Sequence, residues 1–377
     1  MKKIIIPIVI LLLVVVIVGY YSLVSNKTDT QEPIVIGYIG PLSGPSAVLG
    51  MDAVKAVQIA VDEANVKGGV NGRELKMVFQ DDQYLTKNTV TAYRKMVDTD
   101  GAKIVLVANF GGVLALKDAA VKDGVIIIDP LDCNARVADS SKNLFCIATE
   151  TESIGTSLAH KLVSQGKLKA GIMYSTKDEF MSLVSDAFRN TFAKAGGVAI
   201  VESFNYEDKD FKTQLTKIKS ENPDALVLLG HDETGIIMKQ ARDLGLKAPF
   251  MTTGTITSPG AQEAARGYAE GTLFAFWDAS SDNLGAQSLT STFTKLVGRP
   301  PIFPLTTHPA YDAVTVLTTQ VLPGINGDIT AEKIRAGLLS VKGYKGVTGT
   351  ITIDSNGAAP IQESVYKLVN GAPVKAE

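Results

Sequence analysis

The chain has 377 residues, of which 45% are hydrophobic and 20% are charged, so it contains enough apolar material for two packed cores. Its 37 basic and 39 acidic residues leave a formal net charge of -2. This balance gives no electrostatic reason to expect a nucleic-acid partner.

The chain begins with an apolar segment. Residues 4–24 are nearly all Ile, Leu and Val and follow Lys2 and Lys3. A stretch of about 20 such residues suits a bilayer crossing, with the lysines on the cytoplasmic side. The next residues offer neither a small-residue cleavage pattern nor a lipid-accepting cysteine. We therefore expect residues 1–25 to be a transmembrane anchor or uncleaved signal rather than a cleaved signal peptide. Residues 26–33 are expected to be a polar linker that joins this segment to an extracytoplasmic fold.

Strand and helix patterns alternate after the linker. The apolar run 34–39 predicts a strand, the pattern over 47–65 predicts a helix, and the glycine-rich turn 68–72 leads into the next strand. Alternation of this kind forms parallel sheets with helices on both faces, and it continues in two series up to residue 276. Three further helices are predicted at 289–297, 308–322 and 331–338.

The fold class predicted from this alternation is α/β, with two doubly wound, Rossmann-like lobes. The expected boundaries place residues 33–149 and 278–341 in lobe 1, and residues 150–277 and 342–374 in lobe 2. Near the end of the chain, the segments 347–354 and 364–369 flank an Asn-Gly pair, which predicts a terminal antiparallel hairpin.

The two cysteines of the chain, Cys133 and Cys146, lie close together in sequence. Two thiols without nearby histidine or acidic partners do not make a zinc site. In an exported protein they are expected to form a disulfide, which would stabilise the fold by about 3 kcal/mol in the chain-entropy model. The alternative is a pair of buried free thiols.

Catalytic signatures are missing from the sequence. It has three histidines, no G-x-S-x-G elbow and no phosphate-binding glycine motif after a predicted strand. The adjacent acids Asp81 and Asp82 are interpreted as structural hydrogen-bonding groups near the cleft floor. We expect no enzyme activity, no cofactor and no metal site.

Several motifs together resemble a known family. They are Gly37–Pro45, Val61–Asn65, Gly68–Gly72, Asp81–Asp82, Tyr206–Phe211, Lys239–Leu246 and Tyr311–Ala313. As a set they are similar to type I periplasmic binding proteins, and more narrowly to the branched-chain amino acid binding proteins of ABC importers. The resemblance implies two lobes, joined by crossovers near Glu150, Trp277 and Val341, that close on a small solute and deliver it to a membrane permease.

The sequence departs from the amino-acid-binding members of that family. The loops that hold the ligand carboxylate with hydroxyl groups in those relatives read Asn109–Gly112 and Asp129–Cys133 here, without Ser or Thr. The acidic partner of the ligand ammonium would fall in Thr252–Thr255, which has no acid. We therefore expect a small organic solute with an apolar or aromatic part, such as an amide, a carboxylate or an unusual amino acid.

Candidate ligand-binding residues lie where predicted strands end, because ligands bind there in open α/β sheets. They are Leu49, Asn109, Phe110, Gly111, Gly112, Asp132, Phe180, His231, Thr253 and Trp277. Asn109 either binds ligand or caps a helix, and Phe110 either walls the pocket or fills the core. The glycine pair presents backbone N–H groups or forms a turn.

Other candidates carry alternatives of the same kind. Asp132 either binds a cationic or hydroxylated group or is a solvated turn residue, and Trp277 either stacks on ligand or packs in the hinge. His231 begins a helix that Asp232 is expected to cap. Leu49, Phe180 and Thr253 are placed by similarity to ligand-contacting loops, and each is otherwise core or loop filler.

The alternative function is a ligand-sensing extracytoplasmic receptor domain, because the type I fold also serves membrane receptors. No apolar stretch after residue 28 is long enough to cross a membrane and reach an output domain. A sensor of this kind would have to signal through a partner membrane protein.

Overall fold

The computed structural model describes residues 32–44, 46–176, 178–205, 208–277, 283–361 and 363–376. The expected membrane anchor at 1–25 lies outside the described residues. Within the described ranges, no helix is both long enough and apolar enough to cross a bilayer.

The structure alternates strands and helices along most of its length. The strands are β1 (Ile34–Gly40), β2 (Leu75–Asp81), β3 (Ile104–Val107), β4 (Ile126–Asp129), β5 (Asp132–Cys133), β6 (Leu144–Glu150), β7 (Lys169–Ser175), β8 (Val198–Phe204), β9 (Ala225–Leu229), β10 (Phe250–Thr252), β11 (Leu273–Phe276), β12 (Tyr344–Gly346), β13 (Gly349–Ile351), β14 (Ala358–Ile361), β15 (Ser364–Val369) and β16 (Ala372–Lys375). The α-helices are α1 (Val48–Val66), α2 (Thr86–Asp98), α3 (Phe110–Ala115), α4 (Lys117–Asp123), α5 (Ala135–Ala138), α6 (Thr151–Ser164), α7 (Glu179–Lys194), α8 (Lys212–Ser220), α9 (Glu233–Asp243), α10 (Pro259–Ala265), α11 (Leu284–Val297), α12 (Pro304–Val316) and α13 (Ala331–Ser340).

The first lobe is built on a sheet of strand order β14-β6-β4-β3-β1-β2, with β5 paired to β6. All of its pairings are parallel. Successive side chains of a strand face opposite sides, so Ile34, Ile36 and Tyr38 pack on α1, α12 and α13. Ile39 faces the other layer, formed by α2 to α5. Both faces are therefore covered, which agrees with the apolar character of these strands.

The second lobe is built on a sheet of order β16-β15-β11-β10-β9-β7-β8. Its central strands pair in parallel, whereas β15 and β16 are antiparallel to their neighbours. Helices α6 and α7 cover one face, and α8, α9 and α10 cover the other. The sequence-based prediction of two doubly wound lobes is confirmed.

The chain crosses between the lobes three times. The first crossing follows β6 at Glu150 and the second follows β11 near Trp277, close to the expected positions. The third lies between β14 and β15, later than Val341, because β14 pairs with β6 in the first sheet. Residues 342–361 therefore pack with the first lobe, whereas the sequence grouping assigned 342–374 to the second.

The predicted terminal hairpin takes a different form. Strands β12 and β13 form a short hairpin of their own, and β15 pairs with β11 and β16 instead of with 347–354. Asp312 on α12 explains part of this arrangement, because its carboxylate accepts the N–H groups of Val347 and Thr348, each at 2.8 Å. A buried acid on a distant helix thus fixes a segment whose local pattern specifies only an extended conformation.

The predicted disulfide between Cys133 and Cys146 is present. It joins β5 to β6, so the two-residue strand that contains Asp132 is covalently attached to a central strand of the first sheet.

Candidate functional site

A cavity lies between the two lobes and is lined by both. Its first-lobe wall consists of Leu49, Tyr84, Leu131, Asp132, Thr149, Phe303 and Leu305. Its second-lobe wall consists of Ile154, Phe180, Met181, His231, Thr253, Gly254 and Thr255, and Glu363 stands at the third crossing. The empty space between these walls is about 450 Å³, part of it open to solvent. Most of the lining is apolar, with a few polar groups at defined places.

Most of the polar side chains that line the cavity lie at or just after the end of a strand. Thr149 is near the end of β6, His231 follows β9, and Thr253 follows β10. The carboxyl ends of parallel strands meet at one edge of each sheet, so these groups converge where the lobes face each other. Phe180 and Met181 reach the cavity from the first turn of α7, which Asp178 caps by accepting the Met181 N–H at 3.2 Å.

Asp132 places a carboxylate in the cavity wall without a hydrogen-bonding partner. The residue is 1% exposed, and neither of its carboxylate oxygens has a partner among the described residues. The neighbouring Asp129 uses one oxygen to accept the N–H groups of Leu131 and Asp132, each at 2.9 Å. Burial raises the pKa of Asp132 well above its usual range, and the charges of Asp129 and Asp178 raise this pKa further.

Glu363 is a second buried acid on the cavity wall. It is 8% exposed, and its Oε2 atom has no partner among the described residues. Burial raises the pKa of Glu363 to about 8, although a hydrogen bond from Thr149 lowers this pKa in part. Ionisation of Glu363 is therefore opposed by its burial in the cavity wall.

His231 is held by a buried acid of its own lobe. Its Nε2 atom lies 2.8 Å from Asp178 Oδ2, and both side chains are almost fully buried. Burial lowers the pKa of His231, but the hydrogen bond and the charge of Asp178 outweigh that effect and leave this pKa raised. The Nε2 atom of His231 is thus directed to Asp178.

Tyr84 connects the first lobe to His231 across the cavity. The two rings meet edge to face, with 5.6 Å between their centroids. Gln83 and Tyr84 have positive φ values of 53° and 60°, an uncommon backbone conformation for residues other than glycine. Asp81 and Asp82 hold this turn by accepting the N–H groups of Gln83 at 2.9 Å and Tyr84 at 2.8 Å. The acid pair has the structural role that the sequence suggested.

Five of the ten predicted ligand residues line the cavity: Leu49, Asp132, Phe180, His231 and Thr253. Four others lie together at the start of α3, outside the cavity lining. There, Asn109 accepts the Gly112 N–H at 3.0 Å as a helix cap and donates to Asp82 at 2.9 Å. Phe110 is 1% exposed in the first-lobe core. A Cβ atom on Gly111 would lie 2.7 Å from Thr86 Oγ1, so this glycine allows α3 to pack closely on α2.

Trp277 lies near the second crossing rather than in the main cavity. Its ring packs against His308 with 5.6 Å between centroids, and it borders a separate depression together with residues of β13 and β14. Hinge packing, the alternative considered for this residue, describes its surroundings.

Ten lining residues were not among the individual ligand-binding predictions: Tyr84, Leu131, Thr149, Ile154, Met181, Gly254, Thr255, Phe303, Leu305 and Glu363. Leu131, Gly254 and Thr255 lie within the loops Asp129–Cys133 and Thr252–Thr255, which the sequence did single out. Leu131 follows a predicted strand, whereas no strand was predicted over 144–150, the segment that contains Thr149. Phe303 and Leu305 precede and begin α12, and only tertiary packing brings them to the cavity. Glu363 was hidden because the third crossing was expected some twenty residues earlier.

No metal centre is formed by the described part of the chain, in which no group of three or more His, Cys, Asp or Glu side chains is arranged to hold a metal ion.

Comparison with known proteins finds one matching family, together with relatives and solved structures that resemble most of the chain. A family model described as "Periplasmic binding protein" matches residues 33–370. The Leu/Ile/Val-binding protein BraC3 of Rhizobium johnstonii is 28% identical over 353 residues, which cover 91% of this chain and 94% of that protein. A leucine-binding protein, LivK, from Thermotoga maritima has the same fold, with a TM-score of 0.83 and 24% identity over 91% of this chain and 98% of that one. The branched-chain amino acid transporter substrate-binding protein LivJ from Streptococcus pneumoniae, in complex with isoleucine, gives a TM-score of 0.81 at 24% identity, over 92% of this chain and 99% of that one.

Proposed function

The chain belongs to the periplasmic binding protein family, and from this premise we propose that it is an extracytoplasmic solute-binding protein of an ABC importer. It captures a small organic solute between its two lobes and delivers the solute to a membrane permease. Its relatives are solute-binding proteins and not enzymes.

The observation that carries the proposal is the cavity with walls from both lobes. Leu49 and Leu305 of the first lobe pack in one apolar cluster with second-lobe residues such as Phe276, so the lobes are in contact around the cavity. A solute that touches both walls stabilises this closed arrangement, because a ligand shifts a conformational equilibrium by its differential affinity for the two states.

The chemistry of the walls supports a solute with an apolar body. Leu49, Leu131, Phe180 and Leu305 offer aliphatic and aromatic surface to such a body. The relatives named for Leu, Ile and Val bind solutes of this general shape. The disulfide fits an oxidising compartment outside the cytoplasm. Among the relatives, LivJ is named as a transporter protein, which favours import over sensing.

The test is a thermal-shift screen of the full-length protein against amino acids, amines, amides, short carboxylates, aromatic acids and nucleosides. A solute present at about 100 times its dissociation constant stabilises the folded state by about 2.7 kcal/mol, which raises the Tm measurably. We expect one chemical class to raise the Tm. A folded protein that responds to no class would contradict solute capture.

A cavity-filling variant supplies the control. Leu131→Trp places an indole in the space that the solute requires, so we expect the variant to fold and to lose the response. If the solute still raises the Tm of this variant, the solute binds elsewhere on the molecule. Uptake of the responding solute by the source cells, with and without this chain, then tests delivery to a permease.

A further inference from the structure

Two carboxylates enter the cavity with oxygen atoms that no described residue satisfies. Asp132 contributes both of its oxygens and Glu363 contributes Oε2, and both side chains are more than nine-tenths buried. In their ionised form these atoms are acceptors for which the described residues supply no donor.

The cavity lining contains no opposite charge that is available to these acids. Among the described lining residues there is no lysine or arginine. The only basic side chain of the wall, His231, is paired with Asp178 at 2.8 Å. The described lining therefore offers these two acids no cationic partner.

The register of the first sheet places the two acids on either side of one residue. Asp132 on β5 is opposite Thr149 on β6, and Ile361 on β14 is opposite the same Thr149. Glu363 follows two residues later and accepts a hydrogen bond from the Thr149 side chain. Neighbouring strands lie about 4.8 Å apart, so the backbones of Asp132 and Ile361 are about two strand spacings, roughly 10 Å, apart, with Thr149 between them.

An isolated carboxylate in an apolar site is strongly unfavourable unless it is protonated or paired. An ammonium or amidinium group supplies both the charge and several N–H donors for the two unpartnered oxygens of Asp132. A solute carboxylate at the same place would meet like charge at short range when Asp132 is ionised.

We infer that the solute is an organic cation, an amine or amidine with an apolar body, whose positive group is held by Asp132, with Glu363 as a second buried acid on the same wall. The inference rests on the proposed function and names the solute class of the same cavity. The apolar body lies against Leu131, Phe180 and Leu305.

The experiment compares matched triplets of compounds that share a hydrocarbon body. One triplet is 3-methylbutylamine, leucine and 4-methylpentanoate, and another is 2-phenylethylamine, phenylalanine and 3-phenylpropanoate. Dissociation constants for the full-length protein are measured by calorimetry. We expect an amine to bind at least tenfold more tightly than its zwitterionic counterpart, and the carboxylate to show no binding.

Two variants that each replace one aspartate by asparagine test whether the preference for amines arises in the cavity. Asp132→Asn is expected to weaken amine binding at least tenfold, whereas Asp186→Asn, on the exposed face of α7, leaves it unchanged. Asp132→Asn is also expected to raise the Tm of the ligand-free protein, because it removes a buried unpaired carboxyl. A purely structural Asp132 would instead give a lower Tm in this variant.

Tighter binding of a zwitterion or a carboxylate than of its amine would overturn the inference while leaving solute capture intact. Unchanged amine affinity in Asp132→Asn would also overturn it, and so would a lack of binding by every amine. The proposed function fails separately, when no class in the wider thermal-shift screen raises the Tm.

Discussion

Asp132 and Glu363 are carboxylic acids in an apolar cavity, and their ionisation links the site to pH. They share this region with Asp129, Asp178, His231 and Tyr84. Burial raises the pKa of Glu363 from 4.5 to about 8, so between these values the folded protein retains a proton that the unfolded chain has released. The folded state therefore loses stability as pH rises through this window.

Replacement of Glu363 by Gln should remove this part of the pH dependence. We expect the free energy of unfolding of the ligand-free protein to fall between about pH 5 and pH 8, with each unit of pKa difference worth about 1.4 kcal/mol. The Glu363→Gln variant should show a flatter profile and a higher stability at pH 8. Urea denaturation at several pH values measures this. Identical profiles for the two proteins would contradict a buried, protonated Glu363.

Cation binding should release protons from the same acids. A bound ammonium favours the ionised carboxylates, so the affinity for an amine is expected to rise with pH up to about 8, the pKa of Glu363 in the empty cavity. Calorimetry in buffers with different heats of ionisation measures the number of protons released. Proton uptake, or affinity that falls over this range, would contradict the expected linkage.

The short strand β5 shows how one element depends on a covalent bond. It has only two residues, and the bond between Cys133 and Cys146 attaches it to β6 next to Asp132. A double Cys→Ser variant should lose about 3 kcal/mol of stability, the amount expected for a closed loop of this size. We also expect weaker solute binding, because Asp132 is then held less firmly. Chemical denaturation of the wild-type protein with and without reductant measures the loss of stability, and mass spectrometry confirms that both thiols are reduced. An unchanged free energy of unfolding after full reduction would contradict this prediction.

Local sequence patterns predicted the elements more completely than their partners. The apolar run of β1 and the alternation of strands with helices are local properties, so a parallel sheet in each lobe could be predicted. The pairing of β14 with β6 joins segments about 200 residues apart, and nothing in 358–361 specifies that partner. The same reasoning applies to the site, where Asp132, His231 and Thr253 follow predicted strands but Phe303 reaches the cavity only through the packing of α12.

In the described parts of the two lobes, apolar packing and an ion pair at the rim join one lobe to the other. Arg136 of the first lobe lies 2.5 Å from Glu179 of the second, and both side chains are nearly half exposed. Exposed pairs of this kind contribute about 0.2–1 kcal/mol. We therefore expect Arg136→Gln to weaken solute binding by less than about fivefold and to reduce its salt dependence. A loss of a hundredfold, measured by calorimetry at two salt concentrations, would contradict a minor role in closure.

The most direct test of solute capture between the lobes is a crystal structure of the protein with the compound that most raises its Tm. We expect one bound molecule between the lobes, with its apolar body against Leu131 and Phe180 and a polar group within hydrogen-bonding distance of Asp132. Density for the compound outside this cavity, or contact with one lobe only, would contradict it.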